Sequence, residues 1–448
     1  MKGKSPDQNQ RDMFRPLLAD FIDMNHELVR LADAIDWNTI ENELSVFYSK
    51  VGQPAIPIRM MVGCLMLKQL YNYGDETLAK AWIRDPYMQY FCGEAYFQHR
   101  FPFDPSDFVH FRHRIGEKGV NIIFRHSVSL HGKQAEEPVV VSDTTVQGNN
   151  TTFPTDAKLY KRIIDKCVKI ALRHNIPIRQ SYKRISKQLL RDSYNANHPK
   201  RQKKARKSRE KLHTIAGRLV REIERILPPL ERMIYQEELS VFERVLSQKK
   251  TDKDKIYSLH KPYTDCIAKG KAHKPYEFGN KVGFLMTSKS MVITAIRTFT
   301  GNPHDGKTIA PLIDELERNA LPLPSEIVYD RAARGIKEIK GVKVSLPSNA
   351  LKTDTAYQKQ KKRKKFRRRA AIEPVNAHLK SDYRMQENFL LGYCFVQINA
   401  LLSATAWNLK RWMINAISWL YKIICYTDKI RQYWIFNEQY KLSIECVS

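Results

Sequence analysis

Three acidic residues in this 448-residue chain occupy positions where carboxylates could build a metal centre. Asp143 lies inside the apolar run VVVSDTTV, where an unpaired carboxylate is costly to bury and calls for a cation. Asp330 ends the short run EIVY and precedes RAARG, and Glu373 sits in AAIEPVNAHLK directly after a basic run. Hard oxygen donors of this kind suit magnesium or manganese, which take few carboxylates and complete their shell with water and substrate phosphate. Two such ions about 4 Å apart activate a water or sugar hydroxyl and stabilise the departing oxygen in an in-line displacement at phosphorus. Each residue also has an ordinary explanation: Asp143 paired with an arginine, Asp330 with Arg331 or Arg334, Glu373 a helix-surface charge near Lys380. Two further carboxylates could lie near the metal. Asp305 in GNPHDGKTI reads as the N-cap of a helix beginning near Gly306, and Asp156 in FPTDAKLY follows a proline turn.

The strand that would carry Asp143 runs from Val139 to Val146, introduced by Pro138 and closed by Gly148-Asn149-Asn150. Residues 158 to 250 then read as helical, with Leu212, Ile215, Leu219, Ile223 and Ile226 at spacings of three and four and Pro228-Pro229 as punctuation. Strands return in Tyr276 to Met286 and Met291 to Thr298, and a helix follows from Gly306 to about Arg318. Short strands from Glu326 to Tyr329 and Val342 to Leu346 lead into helices from about residue 367 onward. This order predicts a mixed α/β fold with a helical block inserted after its first strand.

Upstream, Pro57 suits the first position of a helix through the apolar run Met60 to Leu70. Tyr73-Gly74-Asp75 turns the chain, with Asp75 as N-cap of a second helix ending before Pro86, and a third short helix stops at Gly93. After Asp104-Pro105-Ser106, the segment SDFVHFRHRI places Phe108, Phe111 and Ile115 on an inner face and His110, His113 and Arg114 on the outer one. Two helices around a glycine turn followed by a basic helix suit a helix-turn-helix DNA reader, with Arg112 and Arg114 as its candidate contacts. A plain helical bundle fits the same pattern.

Lys and Arg number 76 against 47 Asp and Glu, a net charge of +29 that drives the chain toward polyanions and excludes an acidic cation-binding protein. The charge is patterned. Residues 158 to 255 hold 28 basic against 11 acidic side chains, and residues 351 to 370 hold 10 against 1, so these stretches carry 26 of the 29 excess charges. The runs KRQKKARKSREK (Lys200 to Lys211) and KQKKRKKFRRR (Lys359 to Arg369) either track a phosphate backbone or are solvated faces. Lys200, Arg201, Lys203 and Lys204 are the candidate phosphate contacts of the first run.

Seven cysteines without a CxxC pair argue against a disulfide framework and a zinc site, and for a reduced, cytosolic protein. The start MKGKSPDQNQRDMF lacks the apolar core of a signal peptide. Phe389 to Leu409 is uncharged and of spanning length, but Gln397, Asn399, Ser403 and Asn408 interrupt it, so it is expected to be a buried globular helix rather than a membrane span.

Taken together, six segments resemble the DDE transposases of bacterial insertion sequences. They are VGQPAIPIRMMVGCLMLKQLYNYGDETLAKAWIRDP, VVVSDTTVQGNNTTFPTDAKLY, GNPHDGKTI, EIVYDRAARG, RRRAAIEPVNAHLKSDYRM and LLSATAWNLKRW, spanning residues 50 to 412 with gaps. The resemblance implies an RNase H-like mixed-sheet catalytic core over 138–412 with a basic helical insertion over 158–255. A helical N-terminal DNA-binding domain over 1–130 precedes it, and a helical extension over 413–448 follows. It implies that Asp143, Asp330 and Glu373 are the catalytic, metal-binding triad, the first on the first strand, the second at the end of the fourth and the Glu on a late helix. Two Mg2+ or Mn2+ ions per active site go with it. The family's Tyr, Arg, Glu and Lys signature around the third carboxylate falls on Phe366, Arg369, Glu373 and Lys380, departing at the first. Arg369 and Lys380 are thus expected to contact DNA, with Arg331 and Arg334 beside the second carboxylate.

On an unbroken helix all four signature positions share a face; alternatively the helix begins at Pro374, leaving Arg369 in the preceding segment. The activity implied is binding of terminal inverted repeats, cleavage at the element ends and joining of the 3′ ends to target DNA. A homodimer would synapse the two ends, in the bacterial cytoplasm with the nucleoid. The rivals are a hydrolytic nuclease of the same fold and a nucleic-acid-binding protein without catalysis.

Overall fold

The computed structural model describes residues 1–3, 14–269, 275–330 and 334–416. Its described strands form one mixed seven-stranded sheet. The β-branched run around Asp143 forms the long central strand β1 (Val139–Gly148), which pairs antiparallel with β3 (Tyr276–Thr287) and parallel with β5 (Glu326–Val328). On the far side of β3 lie β2 (Asp265–Ala268) and β4 (Ile293–Phe299), both antiparallel to it. Beyond β5 come β7 (Val342–Ser345), parallel, and the two-residue β6 (Glu338–Ile339), antiparallel to β7.

Two apolar layers cover this sheet. Val140, Leu285, Ala295 and Ile327 face the helix Ile309–Arg318, which buries Ile309, Leu312, Ile313 and Leu316 against them. Val141, Val282, Phe284 and Met286 point the other way, as the period-two alternation of a strand requires. They share one continuous core with Ile372, Val375 and Leu379 of the helix Ile372–Ser381, with the helix over 394–416, and with the N-terminal helices. The insertion keeps its own core, built from the helices Asp156–Arg173, Lys183–Asp192, Pro199–Ile226 and Pro229–Ser247.

The N-terminal helices therefore belong with the sheet rather than with a separately packed reader. Twelve residues of the helix Ile58–Leu70 are buried, all but Arg59, so it is a core element and cannot lie free in a groove. Gly74, not Asp75, is the N-cap of the helix Asp75–Arg84. The helix Asp107–Ser129 buries Phe108, Phe111 and Ile115 as its spacing predicts, and is kinked where Gly116 adopts φ 54°.

Of the uncharged stretch Phe389 to Leu409, the part from Cys394 onward is a mostly buried helix whose polar side chains act as hooks, while residues 389–393 precede it without helical structure and Phe389, Leu391 and Tyr393 are exposed. Gln397 accepts from the Thr298 N–H and donates to Ile296 O, Asn408 accepts from the Ile293 N–H and donates to Ile293 O, and Asn399 donates to Gln147 Oε1. Each buried amide is satisfied on β1 or β4, which fixes the helix on the sheet. No described helix is long and apolar enough to cross a membrane. The proposed C-terminal extension lies, from residue 417, outside the described residues.

Candidate active site

Register brings the first two carboxylates together. Parallel pairing ends with Val141 against Val328, and Asp143 and Asp330 each follow two residues further along, Asp330 just past the end of its strand and near enough for its charge to act on Asp143. The strand that leads to Asp330 is the fifth in chain order, not the fourth, because the short edge strand Asp265–Ala268 precedes it, and it ends at Val328. Asp143 is largely buried. Its Oδ1 accepts the Thr144 N–H at 2.9 Å and its Oδ2 accepts Asn376 Nδ2 at 2.9 Å. Burial pushes the Asp143 carboxyl up, Arg369 and the Thr144 N–H oppose this, and the charges of Asp330 and Asp305 raise it again; the net shift is upward.

The third carboxylate comes from across the core. The helix Ala356–Ala370 ends, Ala371 caps it, and the helix Ile372–Ser381 starts at once, so the break falls at Ala371, three residues before Pro374. Pro374 sits in the first turn, where a missing N–H costs nothing. Arg369 thus lies in the last turn of one helix and Glu373 in the first turn of the next, yet they form an ion pair. The same guanidinium approaches Asp143 Oδ2 at 3.6 Å through Nη2. Glu373, Asn376 and Lys380 follow at spacings of three and four and line one groove of about 830 Å³ with Thr144, Phe153 and Tyr276. The Lys380 ammonium also meets Glu277 Oε2 at 3.3 Å.

Asp305 does not cap a helix as expected. His304 caps the short turn Asp305–Thr308, and Asp305 instead accepts Lys281 Nζ at 2.7 Å and Thr144 Oγ1 at 2.9 Å, which places it beside Asp143. Tyr329 is buried among these groups; burial first, then the charges of Asp305, Asp330 and Asp143, push its phenol up. Asp156 begins the first helix of the insertion and lines a separate cavity there.

The donor set suits a hard divalent cation. Asp143 and Asp330 are crowded like charges that a cation would relieve, and the buried Asn376 Oδ1 has no hydrogen-bond partner among the described residues. The convergence is incomplete at Glu373, which is held by Arg369. Among the described residues no group of three or more His, Cys, Asp or Glu side chains is close enough to hold a metal ion.

The candidate DNA contacts fare differently. Arg112 is corrected: four residues after Phe108 and three before Ile115, it falls inside the apolar stripe. It is 2% exposed and donates to both carboxylate oxygens of Asp75 at 3.2 and 3.0 Å, so it is not available to DNA. Arg114 is exposed and stacks over the Tyr48 ring at 4.8 Å. Arg334 is exposed, and Arg331 lies outside the described residues. Lys200, Arg201, Lys203 and Lys204 are exposed on the helix Pro199–Ile226, with Lys204 held by Asp192 at 2.9 Å. Asn376 was missed by sequence reasoning, although its place between Glu373 and Lys380 on one helical face was a usable signal.

The Transposase domain family (DUF772) matches residues 16–114 and the Transposase DDE domain family matches residues 247–409. The chain belongs to the DDE transposases of insertion-sequence type. Asp330 and Glu373 of this transposase fall inside the second matched stretch, and Asp143 before it. The transposase is also similar to a curated protein of Rhizobium meliloti described as "Uncharacterized protein ORF8 in nfe locus", at 37% identity over 192 residues, 42% of this chain and 93% of that protein. No solved structure matches the transposase chain.

Proposed function

We propose that this transposase binds the inverted repeats at the ends of its own element, cleaves there and joins the freed 3′ ends to target DNA by two-metal phosphoryl transfer. The observation that supports this reading is the parallel pairing of Val141 with Val328, two residues before Asp143 and Asp330, with Glu373 on a helix that shares the core under the same sheet and is joined to Asp143 through Arg369. A long first strand paired antiparallel on one side and parallel on the other, with the second carboxylate after a parallel neighbour, supports an RNase H-like core.

Asp143, Asp330 and Glu373 would hold the divalent ions, Mg2+ or Mn2+. When bound, these supply an activated hydroxyl and stabilise the leaving oxygen. The chain's own side chains do the remaining work. Asn376 and the Thr144 N–H fix the orientation of the Asp143 carboxylate. Lys380 in the groove and Arg369, paired with the groove residue Glu373, hold the DNA backbone, the arginine as a fork and the lysine as a point charge. The helix Ala356–Ala370 buries no residue and brings its basic run up to the site, while the insertion adds sequence-independent affinity. Two ends must be held at once, so a homodimer is the smallest working assembly, acting on DNA in the bacterial cytoplasm.

The test is a strand-transfer assay on labelled DNA from the ends flanking the chain's own gene, run with magnesium and without. Joined product that requires the ion is expected. Hydrolysis without joining would leave a nuclease, and end-binding without either would leave a non-catalytic binder.

A further inference from the structure

The guanidinium of Arg369 touches two carboxylates that arrive on different elements, Asp143 from β1 and Glu373 from the helix Ile372–Ser381. It thereby bridges the first and third carboxylates. Its fork is not filled: Nε is buried and makes no hydrogen bond among the described residues, and the approach to Asp143 is long at 3.6 Å. An arginine serving as a structural bolt instead grips its carboxylate with both terminal nitrogens at hydrogen-bond length, as Arg112 does on Asp75. The absence, among the described residues, of a three-carboxylate cluster fits this arrangement, because Glu373 is drawn to Arg369 and its side chain is 65% exposed. Asp143 does not depend on the arginine for its orientation, since Asn376 and the Thr144 N–H hold it independently.

We propose that Arg369 is the resident counter-cation of the ion-free site: a divalent ion and the guanidinium compete for Asp143 and Glu373, and the displaced Arg369 turns to a DNA phosphate. A single positive charge balances this pocket less completely than a divalent ion does, so exchange in that direction is favoured as ion concentration rises. The freed arginine is the last of the Lys359–Arg369 run, among side chains already facing solvent. Ion binding and phosphate binding are then linked, each strengthening the other by the same factor. The proposal rests on the reading of Asp143 and Glu373 as cation ligands.

Calorimetric titration of the full chain with Mn2+, without DNA and at fixed ionic strength, tests it. Arg369→Gln, which removes the competitor, is expected to bind Mn2+ about fivefold or more tightly than the unaltered chain. Arg369→Lys, which keeps the charge but not the fork, is expected to fall between the two, and it carries the test if the glutamine variant does not fold. Equal or weaker Mn2+ binding in the folded variants overturns the proposal. Asp143→Asn is the control for the underlying reading: if it binds Mn2+ as the unaltered chain does, Asp143 is no ligand and both fall. If it loses binding while the Arg369 variants are unchanged, only the counter-cation is wrong. A duplex whose affinity rises equally with Mn2+ in the unaltered chain and in Arg369→Gln removes the linkage to phosphate.

Discussion

Two arginines of this molecule face aspartates, and the contrast between them separates folding from function. Arg112 is enclosed between N-terminal helices, with its side chain 3% exposed and both of its bonds to Asp75 at hydrogen-bond length. Asp75 is shared with Lys68 at 2.5 Å. Arg369 also reaches an aspartate, but at 3.6 Å, from a side chain 20% exposed, with one N–H unanswered. A charge taken out of water holds its place only when its partner set is complete; one whose set is incomplete keeps binding capacity for something else. Positive charge alone therefore did not identify a DNA-binding residue.

The largest consequence is on stability. Arg112→Ala leaves the half-buried Asp75 with Lys68 alone and is expected to lower unfolding free energy by about 2–3 kcal/mol, whereas Arg369→Ala is expected to change it by less than about 1 kcal/mol. Urea unfolding of the two variants measures this directly, and equal losses would erase the distinction. For function the order reverses. Arg369→Lys is expected to reduce strand transfer about tenfold, the worth of one charge-assisted hydrogen bond at about 1.5 kcal/mol, and Lys380→Arg to change it less. Both keep the net charge, so similar small effects would mean that only bulk electrostatics matters at the groove.

The insertion sharpens the same contrast among exposed cations. Converting Lys200, Arg201, Lys203 and Lys204 together to glutamine is expected to flatten the slope of log affinity against log salt by about 0.9 for each phosphate no longer neutralised. Lys204 is already tied to Asp192, so its single replacement should move the slope least of the four. An unchanged slope in the quadruple variant would make the run a solvated face.

A pH-dependent effect comes from Lys68, which shares Asp75 with Arg112. Burial lowers its pKa first, Arg112 adds to this and Asp75 opposes it, leaving the ammonium at about 8 rather than 10.5. The folded chain then binds fewer protons than the unfolded one between those values, so the Lys68 contribution is fully present above pH 10.5 and is lost as pH falls through 8. The stability difference between the unaltered chain and Lys68→Met should accordingly rise between pH 8 and 10.5. A flat difference would show that Asp75 compensates the ammonium in full.

The strand of Asp143 was legible because a mostly β-branched run between Pro138 and Gly148 leaves little alternative. Its partner Asp330 was legible only as a local pattern, since the pairing that aligns them joins residues far apart in sequence. The edge strands Asp265–Ala268 and Glu338–Ile339 are too short to carry an alternation. Arg112 was misread because a stripe assigned on Phe108, Phe111 and Ile115 also contains position 112. Asp305 shows the opposite case: cap-like spacing before a helix was present, but Lys281 and Thr144, from β3 and β1, compete for the carboxylate more strongly than its local N–H groups. Around Pro374, the proline rule located a helix start to within two residues, while the cap fell on Ala371.

The central claim is that Asp143, Asp330 and Glu373 act together as the ion-binding centre for cleavage and do not themselves hold DNA. Asp330→Ala tests it most directly, with binding and cleavage of one labelled element end followed in the same reaction series with magnesium. End-binding within a few fold of the unaltered chain, with magnesium-dependent cleavage abolished, is the predicted result; magnesium-dependent cleavage retained in Asp330→Ala would contradict the account.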